Sequence, residues 1–132
     1  MKQGRVFIPR NIFPPGQKTI HYVVILSNDF ILKRMAASQQ GGFVVVGIIR
    51  SAVNQSGNRV KLVPGHSFPL GSAELSSLSH ESIIETHQLF SLHSSEFHSS
   101  RSKHIGDLPK EILHSVLEGA QRLLGPVCNP SM

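Results

Sequence analysis

Pro109-Lys110-Glu111-Ile112-Leu113-His114-Ser115-Val116-Leu117-Glu118-Gly119-Ala120-Gln121-Arg122-Leu123-Leu124 is the stretch whose period decides the architecture. Its apolar residues fall at Ile112, Leu113, Val116, Leu117, Ala120, Leu123 and Leu124, one stripe at the helical period. Pro109 suits a first turn, Asp107 and Glu111 favour the positive N-terminal end, and Gly125-Pro126 stops the helix. Such a stripe must be buried against something. Upstream the chain reads as strand and loop, so the expectation is a mainly β body with a C-terminal amphipathic α-helix packed on its sheet.

Working back towards the N-terminus, Arg5-Val6-Phe7-Ile8-Pro9 reads as a short strand, and Asn11 to Lys18 as turns. His21-Tyr22-Val23-Val24-Ile25-Leu26 and Phe43 to Ile49 are β-branched, apolar and stopped by polar residues, as core strands are. Between Phe30 and Gly42 the mixed pattern predicts a loop or a single helical turn. Arg59-Val60-Lys61-Leu62-Val63 alternates like a half-exposed strand, while Pro64 to Leu78 reads as loop. Ser82-Ile83-Ile84-Glu85 and Leu89-Phe90-Ser91-Leu92 are two short apolar patches separated by Thr86-His87-Gln88, and His93 to His104 is a Ser/His-rich loop. Short strands at this spacing suggest a compact barrel.

A chain of 132 residues fits one domain, taken as residues 1–125 with a tail at 126–132. No apolar run reaches the ~18 residues of a membrane span, and the N-terminal segment is too short for a signal-peptide core, so a cytoplasmic protein away from membranes is expected. The single Cys128 excludes an internal disulfide and a cysteine zinc set. His93, His98 and His104 lack partners to complete a metal site, so no metal or other cofactor is expected. No Gly-x-Ser-x-Gly elbow marks a serine hydrolase. A formal charge of +5 suits a polyanionic or acidic partner, and equally suits solubility alone.

The order of these segments resembles the MazF/PemK/Kid family of toxin endoribonucleases nearly end to end. Gly4-Arg5-Val6 is similar to the family's Gly-x-Val start, and Pro14-Pro15-Gly16-Gln17 to its Pro/Gly-rich loop. His21 to Leu26 resembles the strand Arg-Pro-x-Leu-Val-Leu, and Val44 to Ser51 the Val-rich strand ending Ile-Thr-Ser. Ile83 to Leu92 resembles a Gln-centred strand, and Ile105-Gly106-Asp107-Leu108 the Ile-Gly-x-Leu lead into the last helix. The resemblance implies a small SH3-like barrel of the CcdB/MazF/PemK type. It also implies a homodimer that cuts single-stranded mRNA without a metal and is neutralised by an antitoxin protein. The active-site motif differs: His21 replaces the strand-opening Arg, Tyr22 the Pro, and Arg50 the Thr before Ser51, while Glu85-Thr86-His87-Gln88 stands where some members have Arg-x-Asp-Gln. Ser51 and Gln88 are retained.

Cleavage of RNA by its own 2′-hydroxyl needs a base, charge stabilisation at the phosphorane and an acid for the leaving 5′-oxygen. With the strands neighbouring as the family fold implies, His21 is the candidate base, Arg50 the phosphate clamp and His87 the acid, with Ser51 beside them. The alternative reading makes His21 and His87 ordinary histidines and Arg50 a solvated strand end. Lys18, Lys33, Arg34, Arg59 and Lys61 are candidate RNA contacts on loops and a strand edge, joined by Tyr22 and Gln88. Phe30 is expected in the core rather than stacked on a base. Two functions follow: a toxin endoribonuclease with a rebuilt site, or a catalytically inactive MazF-like or CcdB-like protein acting through antitoxin, RNA or another protein.

Overall fold

The structure is a computed structural model and describes residues 1–11, 13, 16 and 20–124. The expected tail at 126–132, Cys128, Lys18 and most of the Pro/Gly-rich loop lie outside the described residues. Six strands form one antiparallel sheet: β1 Arg5–Pro9, β2 Tyr22–Ile25, β3 Phe43–Ser51, β4 Ser67–Leu70, β5 Ser82–His93 and β6 Ser102–Asp107. Helix α1, Asp29–Ala37, joins β2 to β3, and helix α2, Lys110–Leu124, follows β6. The strand order is β4-β5-β3-β2-β1-β6, so β4 and β6 are edges and the sheet is open by its backbone hydrogen bonds. One side-chain link spans the opening: Ser77 Oγ, on the loop after β4, donates to the Ile105 carbonyl in β6 at 3.0 Å.

The register of β2 against β3 pairs Tyr22 with Ile49, Val23 with Ile48, Val24 with Gly47 and Ile25 with Val46. Alternate residues therefore enter opposite faces. On one face Val6, Val24, Ile49 and Ile84 pack beneath Val116 of α2. On the other, Phe7, Val23, Ile25, Val44 and Val46 pack with Leu32 of α1 and with Phe97, which lies in a 3-10 turn at Ser94–Phe97. The sheet is the partner that the amphipathic stripe of α2 required. The helix begins one residue later than the period predicts: the Pro109 carbonyl accepts from the Leu113 N–H at 2.9 Å, which closes the first turn. Leu123 ends up 41% exposed, whereas Gly119 is buried against the sheet.

Several local expectations are corrected. The Phe30–Gly42 segment holds the nine-residue α1 rather than a loop or single turn. The Asn28 side chain accepts from the Ile31 N–H, Asp29 stands in the first turn, and the Ser38 N–H bonds the Met35 carbonyl. Phe30 is 67% exposed beneath the Arg34 guanidinium rather than in the core. Residues 59–63 make no strand; Arg59 forms a lone bridge with Val53, and the Val60 N–H bonds the Ala52 carbonyl. The loop-like 64–78 stretch contains β4, a four-residue edge strand tolerant of Pro69. The Ser/His-rich 93–104 segment supplies the 3-10 turn and the start of β6. The two apolar patches at 82–92 are one twelve-residue strand. Between them the register moves from Ile48↔Glu85 to Val46↔Phe90, so two steps on β3 oppose five on β5. Thr86-His87-Gln88-Leu89 form this bulge, and the freed Thr86 N–H bonds the His66 carbonyl at 2.7 Å. No described helix is long and apolar enough to cross a membrane.

Candidate active site

A groove of about 800 Å³ opens at one end of the sheet where β2, β3 and β5 lie side by side. Its wall and floor include His21, Tyr22, Arg50, Ser51, Glu85 and Gln88. The Tyr22↔Ile49 register continues to set His21 beside Arg50, and the Arg50↔Ile83 pair sets Arg50 beside the strand that carries Glu85. His21 is half-buried, and its pKa is lowered from the ordinary 6.5, first by burial and then by the Arg50 charge. That shift favours the neutral imidazole, the form a general base requires.

Arg50 Nη1 donates to Glu85 Oε1 at 3.0 Å, with the Arg50 side chain 41% exposed and that of Glu85 10% exposed. The second carboxylate oxygen, Oε2, is 3.4 Å from His87 Nε2. His21, Arg50, Glu85 and His87 therefore form a line of ionisable groups across three strands. His87 does not face the groove directly. It sits in the bulge and reaches the site through Glu85, with its ring edge-on to His66 at 6.3 Å between centroids. Its Nδ1 is buried without a hydrogen-bond partner among the described residues. Sequence reasoning singled out His21, Arg50 and His87 but passed over Glu85. The available signal was a carboxylate within the apolar run Ile83-Ile84-Glu85, where a buried charge demands a partner.

The other expected residues divide by position. Ser51 lines the groove, and its hydroxyl accepts from the Val53 N–H at 3.2 Å, which shapes the turn after β3. Tyr22 lines the groove while packing on the α2-side core. Gln88 projects from the bulge at the groove margin. Arg59 is exposed near the rim and pairs with Glu81 at 2.6 Å, and Lys61 is exposed two residues on. Lys33 and Arg34 are not brought to the groove. They lie on α1 beyond the far end of β2, and Arg34 covers Phe30 at 5.8 Å. The three histidines of the 93–104 segment are also separated in role. His93 caps the 3-10 turn, exposed His98 ends it, and His104 pairs with Asp107 at 3.1 Å. Among the described residues no three His, Cys, Asp or Glu side chains converge as a metal-binding group.

The family described as PemK-like, MazF-like toxin of type II toxin-antitoxin system matches residues 6–124, which span all six strands and both helices. The chain belongs to this toxin family. Solved structures similar to this PemK/MazF-like chain include a MazE-MazF complex from Deinococcus radiodurans, at TM-score 0.64 and 17% identity, covering 95% of this chain and 96% of that one. A mycobacterial endoribonuclease in complex with its cognate antitoxin aligns at TM-score 0.63 and 12% identity, covering 98% and 99%. Mycobacterium tuberculosis toxin MazF-mt6 aligns at TM-score 0.59 and 12% identity, covering 91% and 95%. At these identities the structures establish a shared fold. No curated protein sequence matches the chain.

Proposed function

We propose that this PemK/MazF-like toxin is a metal-independent endoribonuclease that cuts single-stranded mRNA within the groove between β2, β3 and β5. The observation that carries the reading is the pairing of a half-buried His21, its pKa depressed, with the Arg50 guanidinium at the open end of the sheet. In this scheme Arg50 binds the scissile phosphodiester. Neutral His21 takes the proton of the 2′-hydroxyl as its oxygen attacks phosphorus. The bond from phosphorus to the 5′-oxygen breaks, and that oxygen takes a proton from water in the open groove; His87, expected from the sequence as the acid, does not face the groove and acts on it only through Glu85. The products are a 2′,3′-cyclic phosphate and a 5′-hydroxyl, so the charge and proton balance closes without a metal. Ser51, Tyr22 and Gln88 line the path of the strand.

The same reading carries an antitoxin protein as partner, a homodimer as the working state and the cytoplasm as the site of action. The curled six-stranded sheet, linked across its opening by Ser77 and Ile105, is taken as a form of the SH3-like barrel. The deciding experiment incubates the protein with a defined single-stranded RNA in EDTA and sequences the ends produced. Cleavage by the wild type, lost in both His21→Ala and Arg50→Ala, is expected. Unchanged cleavage in both variants would remove these residues from the chemistry. Intact RNA would favour the second reading, a binding protein acting through antitoxin, RNA or another protein, for which the occupation of one Arg50 donor by Glu85 is the supporting observation.

A further inference from the structure

We infer that Glu85 is the positioning residue of this groove: one carboxylate that pins Arg50 with one oxygen and His87 with the other, fixing a cation and an imidazole on adjacent strands. The inference rests on the ribonuclease reading and adds to it the residue that sets its geometry. Glu85 is only 8% exposed and follows Ile83 and Ile84, which are 1% and 0% exposed. A carboxylate so placed is tenable only when paired. Both of its oxygens face partners, Arg50 Nη1 at 3.0 Å and His87 Nε2 at 3.4 Å. The guanidinium has five donors in a planar fork, and Glu85 engages Nη1; Arg50 lines the groove with its side chain 41% exposed, so its other donors remain for a phosphodiester. The side chain of Arg50 is long and samples many rotamers; the bond to Glu85 holds its direction while charge develops on the phosphorane, and the carboxylate's own negative charge offsets any gain in ground-state phosphate binding. On the other side, His87, within the β5 bulge, places Nε2 beside the same carboxylate. Glu85 lines the groove with both oxygens facing protein partners, and in this arrangement it acts through the two groups it holds.

The test uses the full chain as wild type, Glu85→Gln and Glu85→Asp. Glutamine is isosteric, and its one remaining oxygen can accept from a single partner. Aspartate keeps the charge but is one methylene too short to span both. Three readouts separate the possible roles. The first is the Arg50 side-chain N–H signal in nucleic-acid-free protein by NMR, which should be ordered in the wild type and lost or broadened in Glu85→Gln. The second is affinity for a single-stranded 2′-deoxy oligonucleotide, which lacks the attacking hydroxyl and should bind as well or better once the negative charge is gone. The third is steady-state cleavage, where kcat should fall ~10- to 100-fold with KM unchanged or lower. Glu85→Asp should lie between the two and supplies the same readings should Glu85→Gln fail to fold. Arg50 equally ordered in both variants, or kcat within twofold of wild type, overturns the inference. A parallel loss of kcat and deoxy-strand affinity also overturns it, since Glu85 would then belong to binding. The NMR readout requires no cleavage, so an inactive wild type with an Arg50 signal that depends on Glu85 would sink the ribonuclease reading alone.

Discussion

Replacing Gly119 with alanine should destabilise the protein although it puts the best helix former into a helix. In isolation the change would favour α2 by ~1 kcal/mol. Gly119 lies where α2 rests on β4 and β5, and a Cβ built there falls 2.6 Å from Thr86 Oγ1, 2.7 Å from Phe68 Cε2 and 2.8 Å from Phe68 Cζ. Real Cβ contacts are essentially never that short, so either the helix lifts or the sheet yields. Thr86 has little room to move: it is fully buried, its N–H bonds the His66 carbonyl at 2.7 Å, and its hydroxyl lies 3.1 Å from His66 Nδ1. Overpacking of this kind costs ~1–3 kcal/mol. Three contacts under 3.0 Å with one immobile partner place this site towards the upper end, so a net loss of ~1–2 kcal/mol remains after the propensity gain. In a domain of this size that corresponds to a fall of ~4–8 °C in Tm. Urea and thermal unfolding followed by circular dichroism would measure it, with exposed Gln121→Ala as the control that changes helix propensity without meeting the sheet. A Gly119→Ala protein as stable as wild type, or more so, would refute the close approach of α2 to β5. Because Thr86 stands between Glu85 and His87, the same variant should also lower cleavage through a shift of the bulge.

His21 should titrate below 6.5, and Arg50→Gln should move its midpoint upward by removing the second of the two causes that depress it; an NMR titration with an unmoved midpoint would break the pairing of the two residues. The sign for stability follows: with a folded-state value below the unfolded one, the unfolded chain binds the extra proton, so this contribution is lost as pH falls below 6.5 and His21→Ala should flatten that part of the stability profile. The double variant Lys33→Ala, Arg34→Ala should bind single-stranded RNA within about twofold of wild type, since α1 lies across the length of β2 from the groove, on the order of 20 Å along the chain path. Loss of affinity and a salt slope shallower by ~1.4 in the logarithmic plot would instead put both cations on the phosphate backbone.

Helix α2 and strands β1 to β3 were legible because each has a clear apolar period and explicit stops. Helix α1 was not, since Leu32 is its one fully buried side chain and its ends are set by the caps at Asn28 and Ser38 rather than by a stripe. Strands β4 and β6 are sheet edges, short or polar on their outer sides, and Pro69 and Lys103-His104 read as loop for that reason. The break inside β5 was visible in the sequence but ambiguous. A polar triplet between two apolar patches fits a turn as well as a bulge, and only the pairing of Glu85 and Phe90 with the same strand decides it.

The site was legible one residue at a time and illegible as an arrangement. In sequence, His21, Arg50, Glu85 and His87 read as separate departures from a family motif, each of which weakens the case for chemistry. The strand order makes β2, β3 and β5 consecutive neighbours, so His21, Arg50 and Glu85 line one groove and His87 joins them through Glu85. Their charges are mutually dependent. Without Arg50 the largely buried Glu85 carboxylate would lose its 3.0 Å partner and keep only His87 at 3.4 Å. Without Glu85, Arg50 would lose the bond that sets its direction. The departures are therefore mutually dependent, and they keep a cation, a carboxylate and one imidazole in the groove, with the second imidazole behind the carboxylate.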